Sequence, residues 1–238
     1  EANVVFMPGA GYVNEFYSAG LNYGAKFGEI EIGQAKIMVT HSSGRFHPCK
    51  ELLSLIIHDC HACGFPVSIH CVEMEVLSLV LSILEEDYLY GDRLEHAAFI
   101  SELLLNSMKA RGVFVSTQPS FLHRRGDRYI KELKGTELMD LYRVGSLLRN
   151  GISVGISSDA PVVPPNPLEI LESALKRTSL NGVEFSLSER VNMVEALQMM
   201  TSNNALISGL SHSKGEIRVG YDADLVLLDD GSKGNVSE

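Results

Sequence analysis

Val67-Ser68-Ile69-His70 and, further along, Arg93-Leu94-Glu95-His96 are two short runs that each end on an imidazole. Both have the length of a buried strand and are flanked by Gly, Pro or polar residues. Runs of the same kind occur at 4–7, 35–39, 112–116 and 152–156. Between and after them the pattern predicts helices at 48–63, 73–86, 101–111, 138–150, 166–180 and 186–207. Pro48 suits a first helical turn, and Gly64, Gly112 and Gly151 stand where helices stop. Ser186-Leu187-Ser188-Glu189 has the spacing of a capping box. Strands that alternate with helices imply parallel pairing through right-handed crossovers.

Two α/β architectures fit this alternation. A doubly wound sheet needs a glycine-rich phosphate loop after an early strand, and Gly9-Ala10-Gly11 lacks the third glycine. A (β/α)₈ TIM barrel needs its chemistry at the C-terminal ends of several strands. His70, His96 and Asp159, in Ser157-Ser158-Asp159-Ala160-Pro161, meet that need, and Lys36 lies inside another strand. The barrel is the better reading, and six strands in place of eight make it an incomplete one. Residues 215–229 read as a turn and an apolar strand, and 231–238 as a frayed polar end.

Composition narrows the partners. The chain has 238 residues, 20 Lys+Arg against 30 Asp+Glu, and a formal net charge of −10. That length suits one large domain with a substantial core. The acid excess argues against nucleic acid or an anionic membrane surface, since either needs a cationic footprint. The greasiest stretch, 76–84, is too short to cross a membrane and contains Ser78 and Ser82. Glu1-Ala2-Asn3 lacks the basic start of a signal peptide. Four cysteines in a chain of this size do not form a disulfide framework, so a reducing, cytoplasmic setting is expected.

Two histidines at successive strand ends converge on one point as metal ligands, whereas a lone histidine is more often a satisfied core residue. Asp159 suits metal binding or general-base work, or else a turn before Pro161. A strand-borne Lys36 is costly to bury as a free ammonium, which leaves pairing, a depressed pKa, reaction with CO₂ to a carbamate, or an edge position. Glu73, three residues after His70, is either a general acid/base or a helix N-terminal carboxylate. The cluster Arg124-Arg125-Gly126-Asp127-Arg128 is either a carboxylate clamp or a solvated loop. Cys60 and Cys63 lie at core-face spacing on a helix, and His41 and His47 read as solvated loop residues.

The ordered series as a whole resembles the amidohydrolase superfamily, in the branch called amidohydrolase family 3, which includes N-substituted formamide deformylase-like proteins. The resemblance is carried by His70, by Leu94-Glu95-His96-Ala97, by Ser116-Thr117-Gln118-Pro119 and by Gly126-Asp127-Arg128-Tyr129. Gly155-Ile156-Ser157-Ser158-Asp159-Ala160-Pro161, Ala174-Leu175-Lys176-Arg177, Glu195-Ala196-Leu197 and Gly220-Tyr221-Asp222-Ala223-Asp224 complete it. It implies a metal-bearing barrel with a small β-sandwich: residues 1–208 as about strands 3–8, and 209–238 as the return into the sandwich. It further implies one or two divalent ions, zinc first, at His70, His96, Asp159 and Lys36, the last carboxylated in many members. The implied reaction is hydrolysis of a non-peptide, amide-type carbon–nitrogen bond of a small molecule. A metal-bound hydroxide is the nucleophile and Asp159 shuttles the proton, with Gln118 and Arg128 expected at the substrate.

Three departures stand out. No His-x-His occurs anywhere, so this chain reads as a C-terminal piece, inactive alone. Lys36 lacks the Asp-Gly that often follows it. His70-Cys71-Val72-Glu73 resembles the His-x-x-Glu of one-metal zinc deaminases, which makes such an enzyme using Glu73 the first alternative. A second alternative is a non-catalytic assembly module, homodimeric through the open edges of its sheet.

Overall fold

The computed structural model describes residues 3–227, and the expected frayed end at 231–238 lies outside them. Five parallel strands form the central sheet: β4 (Ala35–Met38), β7 (Val67–Cys71), β8 (Arg93–His96), β9 (Phe114–Thr117) and β10 (Val154–Ile156). Their order across the sheet follows their order along the chain. A doubly wound sheet would reverse direction at a switch point, and this one does not. The ladder does not close on itself among the described residues. Helices α2 (Lys50–Ala62), α3 (Met74–Ile83) and α4 (Glu102–Arg111) make the first three crossovers. The last crossover uses α5 (Ser120–Glu132), α6 (Thr136–Met139) and α7 (Val144–Arg149). After β10 come α8 (Pro167–Lys176), α9 (Met193–Met200) and α10 (Ser202–Ile207). No helix among the described residues is long and apolar enough to cross a membrane.

The first expected strand belongs elsewhere. β1 (Val4–Phe6) joins a small separate sheet with β2 (Lys26–Phe27) and β3 (Ile30–Ile32), because Ile30–Ile32 offers it a parallel partner. Only the chain just beyond β1 reaches the central sheet, where the Lys36 amide donates to the Pro8 carbonyl at 2.7 Å and Gly9 bridges Lys36. Helix α1 (Val13–Ser18) and the hairpin of β5 (Thr40–Ser42) with β6 (Arg45–His47) complete the elements. His41 stacks on Phe46 in that hairpin, with ring centroids 4.7 Å apart.

Four further expectations need correction. The predicted helix at 138–150 breaks at Leu141-Tyr142, where Phe99 pairs with Leu141 and the Arg177 guanidinium takes the carbonyls of Leu141 and Tyr142. The capping box lies at Asn192 and Glu195, at the start of α9, six positions beyond Ser186 and Glu189. Glu189 is instead buried, accepting from the Ser146 amide at 2.6 Å and from Arg143 at 3.2 Å, so it staples α7 to the segment before α9. The supposed arginine loop is helix α5, whose Phe121, Leu122 and Gly126 pack inward. Residues 209–227 form no strand, and Ile217, Val219, Val226 and Leu227 are exposed; Leu228 and Asp229 lie outside the described residues.

The sheet edges are also less open than expected. On β10, the carbonyls of Val154 and Ile156 accept side-chain amides from Asn203 (3.0 Å) and Asn204 (2.9 Å) of α10. On β4, residues 8 and 9 cover part of the backbone. Capped edges offer few groups for a second copy to pair with. The main core lies between the sheet and its helices, and a second apolar cluster, including Phe121, Tyr142, Val163 and Phe185, sits beside the rim where β8 and β9 end.

Candidate active site

Register builds the site. Lys36 is opposite Ser68, and Ser68 is opposite Arg93, so their side chains share one face of the sheet. His70 and Glu95, two residues further along their strands, share that face too. His96 is opposite Cys71, and alternation alone would put its ring on the other face. The backbone corrects this. His96 has φ 72° and Ala97 φ 44°, and the Ala97 amide donates to the Glu95 carbonyl at 3.0 Å. His96 is therefore the centre of a rare, strained three-residue turn, the kind of strain that persists at functional sites. Its ring meets that of His70 edge to face, with centroids 4.6 Å apart and planes at 75°.

The two imidazoles are prepared differently. Gln118 Oε1 lies 2.7 Å from His96 Nδ1. A carbonyl oxygen only accepts, so Nδ1 carries the proton and Nε2 keeps its lone pair for a ligand. Gln118 is itself held, donating to Ser157 Oγ at 3.0 Å. Burial, with the neighbouring His96 and then Lys36, pushes the His70 pKa down to about 4, so His70 is neutral at pH 7.

Below the histidines lies a buried polar group that sequence reasoning missed. Glu95 Oε1 accepts from Ser68 Oγ (2.6 Å) and from Arg93 Nε (2.7 Å). Burial would raise its pKa, but Arg93, Lys36 and these hydrogen bonds hold it below the usual carboxylate value. Burial depresses Lys36, Glu95 opposes that shift, Arg93 adds to it, and the result is a lowered pKa. The available signal was the spacing of Arg93 and Glu95, two apart in a strand and hence on one face.

Asp159 follows β10 at φ 56°, its carbonyl taking the Val162 amide at 2.9 Å, and its charge acts on both Lys36 and Tyr142. Glu73 is the N-cap residue of α3 but makes no side-chain cap bond, and its Oε2 is buried without a hydrogen-bond partner. A buried, orphaned carboxylate oxygen is costly and calls for a ligand. Arg128 stands apart: it is exposed on α5 and pairs with Glu132 at 2.8 Å.

Two converging imidazoles, one with its tautomer fixed and the other held neutral, have the chemistry a divalent transition ion requires. Among the described residues, however, no three His, Cys, Asp or Glu side chains gather as a metal cage. The residues present therefore fit a metal as half a site, right in donor type and short in number. Cys60 is buried in the core face of α2, and Cys63 lies near Asn14, with Sγ 3.2 Å from its Oδ1.

A family model described as an amidohydrolase family matches residues 12–235. YtcJ of Bacillus subtilis (strain 168) is 28% identical over 184 residues, covering 75% of this chain and 35% of YtcJ. N-substituted formamide deformylase of Arthrobacter pascens is 29% identical over 197 residues, covering 80% of this chain and 36% of that enzyme. The chain thus spans about a third of the length of these curated relatives. The crystal structure of an uncharacterized metal-dependent hydrolase from Pyrococcus horikoshii OT3 superposes with a TM-score of 0.83 at 23% identity, covering 95% of this chain and 50% of that one.

Proposed function

Because the chain belongs to the amidohydrolase family, we propose that the whole protein is a metal-dependent hydrolase of non-peptide, amide-type carbon–nitrogen bonds. In this reading the five-stranded sheet and its helices are part of a (β/α)₈ barrel, which the monotonic strand order supports. The His70–His96 pair carries the reading. These two side chains would hold a divalent ion, zinc first, with Asp159 and a carboxylated Lys36 completing the set. When bound, such an ion polarises a carbonyl and acidifies water.

The chain's own residues do the rest. Gln118 keeps the His96 Nδ1 proton in place, so Nε2 stays a donor of electrons. Asp159 takes a proton from the attacking water and returns it to the leaving nitrogen. Glu95 stands as the fixed negative charge beneath the pair, between Arg93 and Lys36. Similarity to N-substituted formamide deformylase makes substituted formamides the first substrates to try. Elemental analysis of the full-length protein tests the reading: we expect bound divalent metal that is lost in His70→Ala/His96→Ala, and unchanged occupancy in that double variant overturns it.

The orphaned Glu73 Oε2 favours a second reading, a one-metal deaminase-like enzyme in which Glu73 handles protons. This predicts a metal count near one, an unmodified Lys36 by mass, and a large rate loss in Glu73→Gln. Two metals and a carboxylated Lys36 would reject it.

A further inference from the structure

We propose that Arg125 is the anion-recognition residue of the candidate active site, and that the amide hydrolysed there carries a carboxylate. The proposal deepens the hydrolase reading above and rests on it. Helix α5 begins at Ser120, just after β9 ends at Thr117, so its N-terminal end lies at the rim that carries His96 and Gln118. Side chains on a helix lean toward its N-terminus, which sends a residue of the second turn back toward that rim. Arg125 follows this rule, its guanidinium carbon lying 5.0 Å from the centroid of the Phe121 ring. Phe121 in turn stacks on His96, with centroids 6.4 Å apart and planes at 23°, and meets Tyr142 edge-on at 5.9 Å. The Phe121 ring thus touches both the guanidinium and the His96 ring, which places Arg125 in the neighbourhood of the candidate site.

The pairing of the arginines singles it out. Arg93 is bound to Glu95, Arg124 to Glu169, Arg128 to Glu132, and Arg143 to Glu102 and Glu189. Arg125 is half-buried and makes no ion pair among the described residues. Arg45 and Arg177 also lack a carboxylate among the described residues, but Arg45 is exposed and Arg177 is saturated with backbone carbonyls, so of these three Arg125 is the one that is half-buried with its N–H groups free. Its aromatic support holds it in place while leaving its N–H fork free. A planar fork of that kind matches a carboxylate bidentately. The carboxylate must then lie a few bonds from the scissile bond, on the side toward α5, as in an N-acyl amino acid.

Equilibrium binding to the full-length protein tests this without requiring turnover. The probes are 3-phenylpropionate and 3-phenylpropanol, which match in shape and differ in the carboxylate. Isothermal titration should show the acid binding at least about tenfold more tightly than the alcohol, the scale of one charge-assisted bidentate contact. Arg125→Gln should abolish that preference and Arg125→Lys should restore part of it, with circular dichroism confirming that both variants are folded. No preference in the wild type, or a preference that survives Arg125→Gln, overturns the proposal. The hydrolase reading itself fails on metal content instead, so the two failures are distinguishable.

Discussion

Gln118 sets the tautomer of His96: its Oε1 sits 2.7 Å from Nδ1, while its amide nitrogen is held by Ser157 Oγ at 3.0 Å. The Ser157 contact sets which way the amide points, and the amide sets which imidazole nitrogen is free. Replacing Gln118 with Leu removes the acceptor and lets His96 take the other tautomer. We expect kcat/KM of the full-length enzyme to fall about 10–100-fold, as is usual when a partner behind a ligand is lost. Gln118→Glu keeps an acceptor and should lose less. Steady-state rates of the two variants, compared at equal metal content, check this order.

Gly155 lies in β10, close to the residues that lead into Asp159. A methyl group there would lie 2.0 Å from Asn204 Oδ1 and 2.6 Å from the Ile207 side chain. Asn204 has little freedom to move, because its amide nitrogen bonds the Ile156 and Met200 carbonyls. Gly155→Ala should therefore destabilise the protein by about 1–3 kcal/mol, the usual cost of overpacking. Urea unfolding measures this directly, and a midpoint equal to that of the wild type would show that α10 can shift at no cost.

The strands at His70 and His96 were legible because each is short, bounded and closed by a residue whose chemistry stands out. Helix α5 was not legible. Its Arg124-Arg125-Gly126-Asp127-Arg128 segment reads as a polar loop, and the helix depends on Gly126 fitting against Phe185 and Ser179, where a methyl group would lie 2.7 Å and 2.8 Å away. Such packing is tertiary and leaves no local mark. The same holds for the break at Tyr142, made by Arg177 some 35 positions away, and for the turn that swings the His96 ring toward His70. Glu189 misled for a related reason: its spacing from Ser186 mimics a cap, while its real partners are Ser146, on α7, and Arg143, the residue just before α7.

Far from the site, His61 bridges two carboxylates, with Nδ1 2.7 Å from Asp87 and Nε2 3.0 Å from Asp92. Burial lowers its pKa, but bonds to Asp92 and then Asp87 outweigh burial and leave it raised. For a histidine raised on folding, the stabilisation is complete below the unfolded value of about 6.5 and fades as pH climbs through the folded value. The pKa of Asp87 is held low, so its share is lost instead as pH falls through that lowered value. Thermal midpoints should therefore drop on going from about pH 6 to about pH 8.5. His61→Gln should flatten that slope and lower stability most at the acid end of the range. An unchanged slope in the variant would assign the pH dependence to other groups.

Arg177 is fully buried and has no carboxylate partner among the described residues, yet its guanidinium is saturated with carbonyls. It donates to Phe185 at 3.0 Å, Tyr142 at 2.7 Å and Leu141 at 3.0 Å. Burial draws its pKa down to about 10, so it remains charged at neutral pH. Methionine would fill much of the same volume but leave the Phe185 and Leu141 carbonyls without donors, while Tyr142 keeps the Val144 amide. At about 1–3 kcal/mol for each orphaned group, Arg177→Met should cost several kcal/mol of stability. The damage should also reach the site, because Tyr142 packs against Phe121, and Phe121 against His96. Lysine keeps the charge and reaches at most part of the fork, so Arg177→Lys should fall between methionine and wild type. Urea unfolding of the three proteins gives the order, and a methionine variant as stable as the wild type would mean that water or a shifted backbone satisfies those carbonyls.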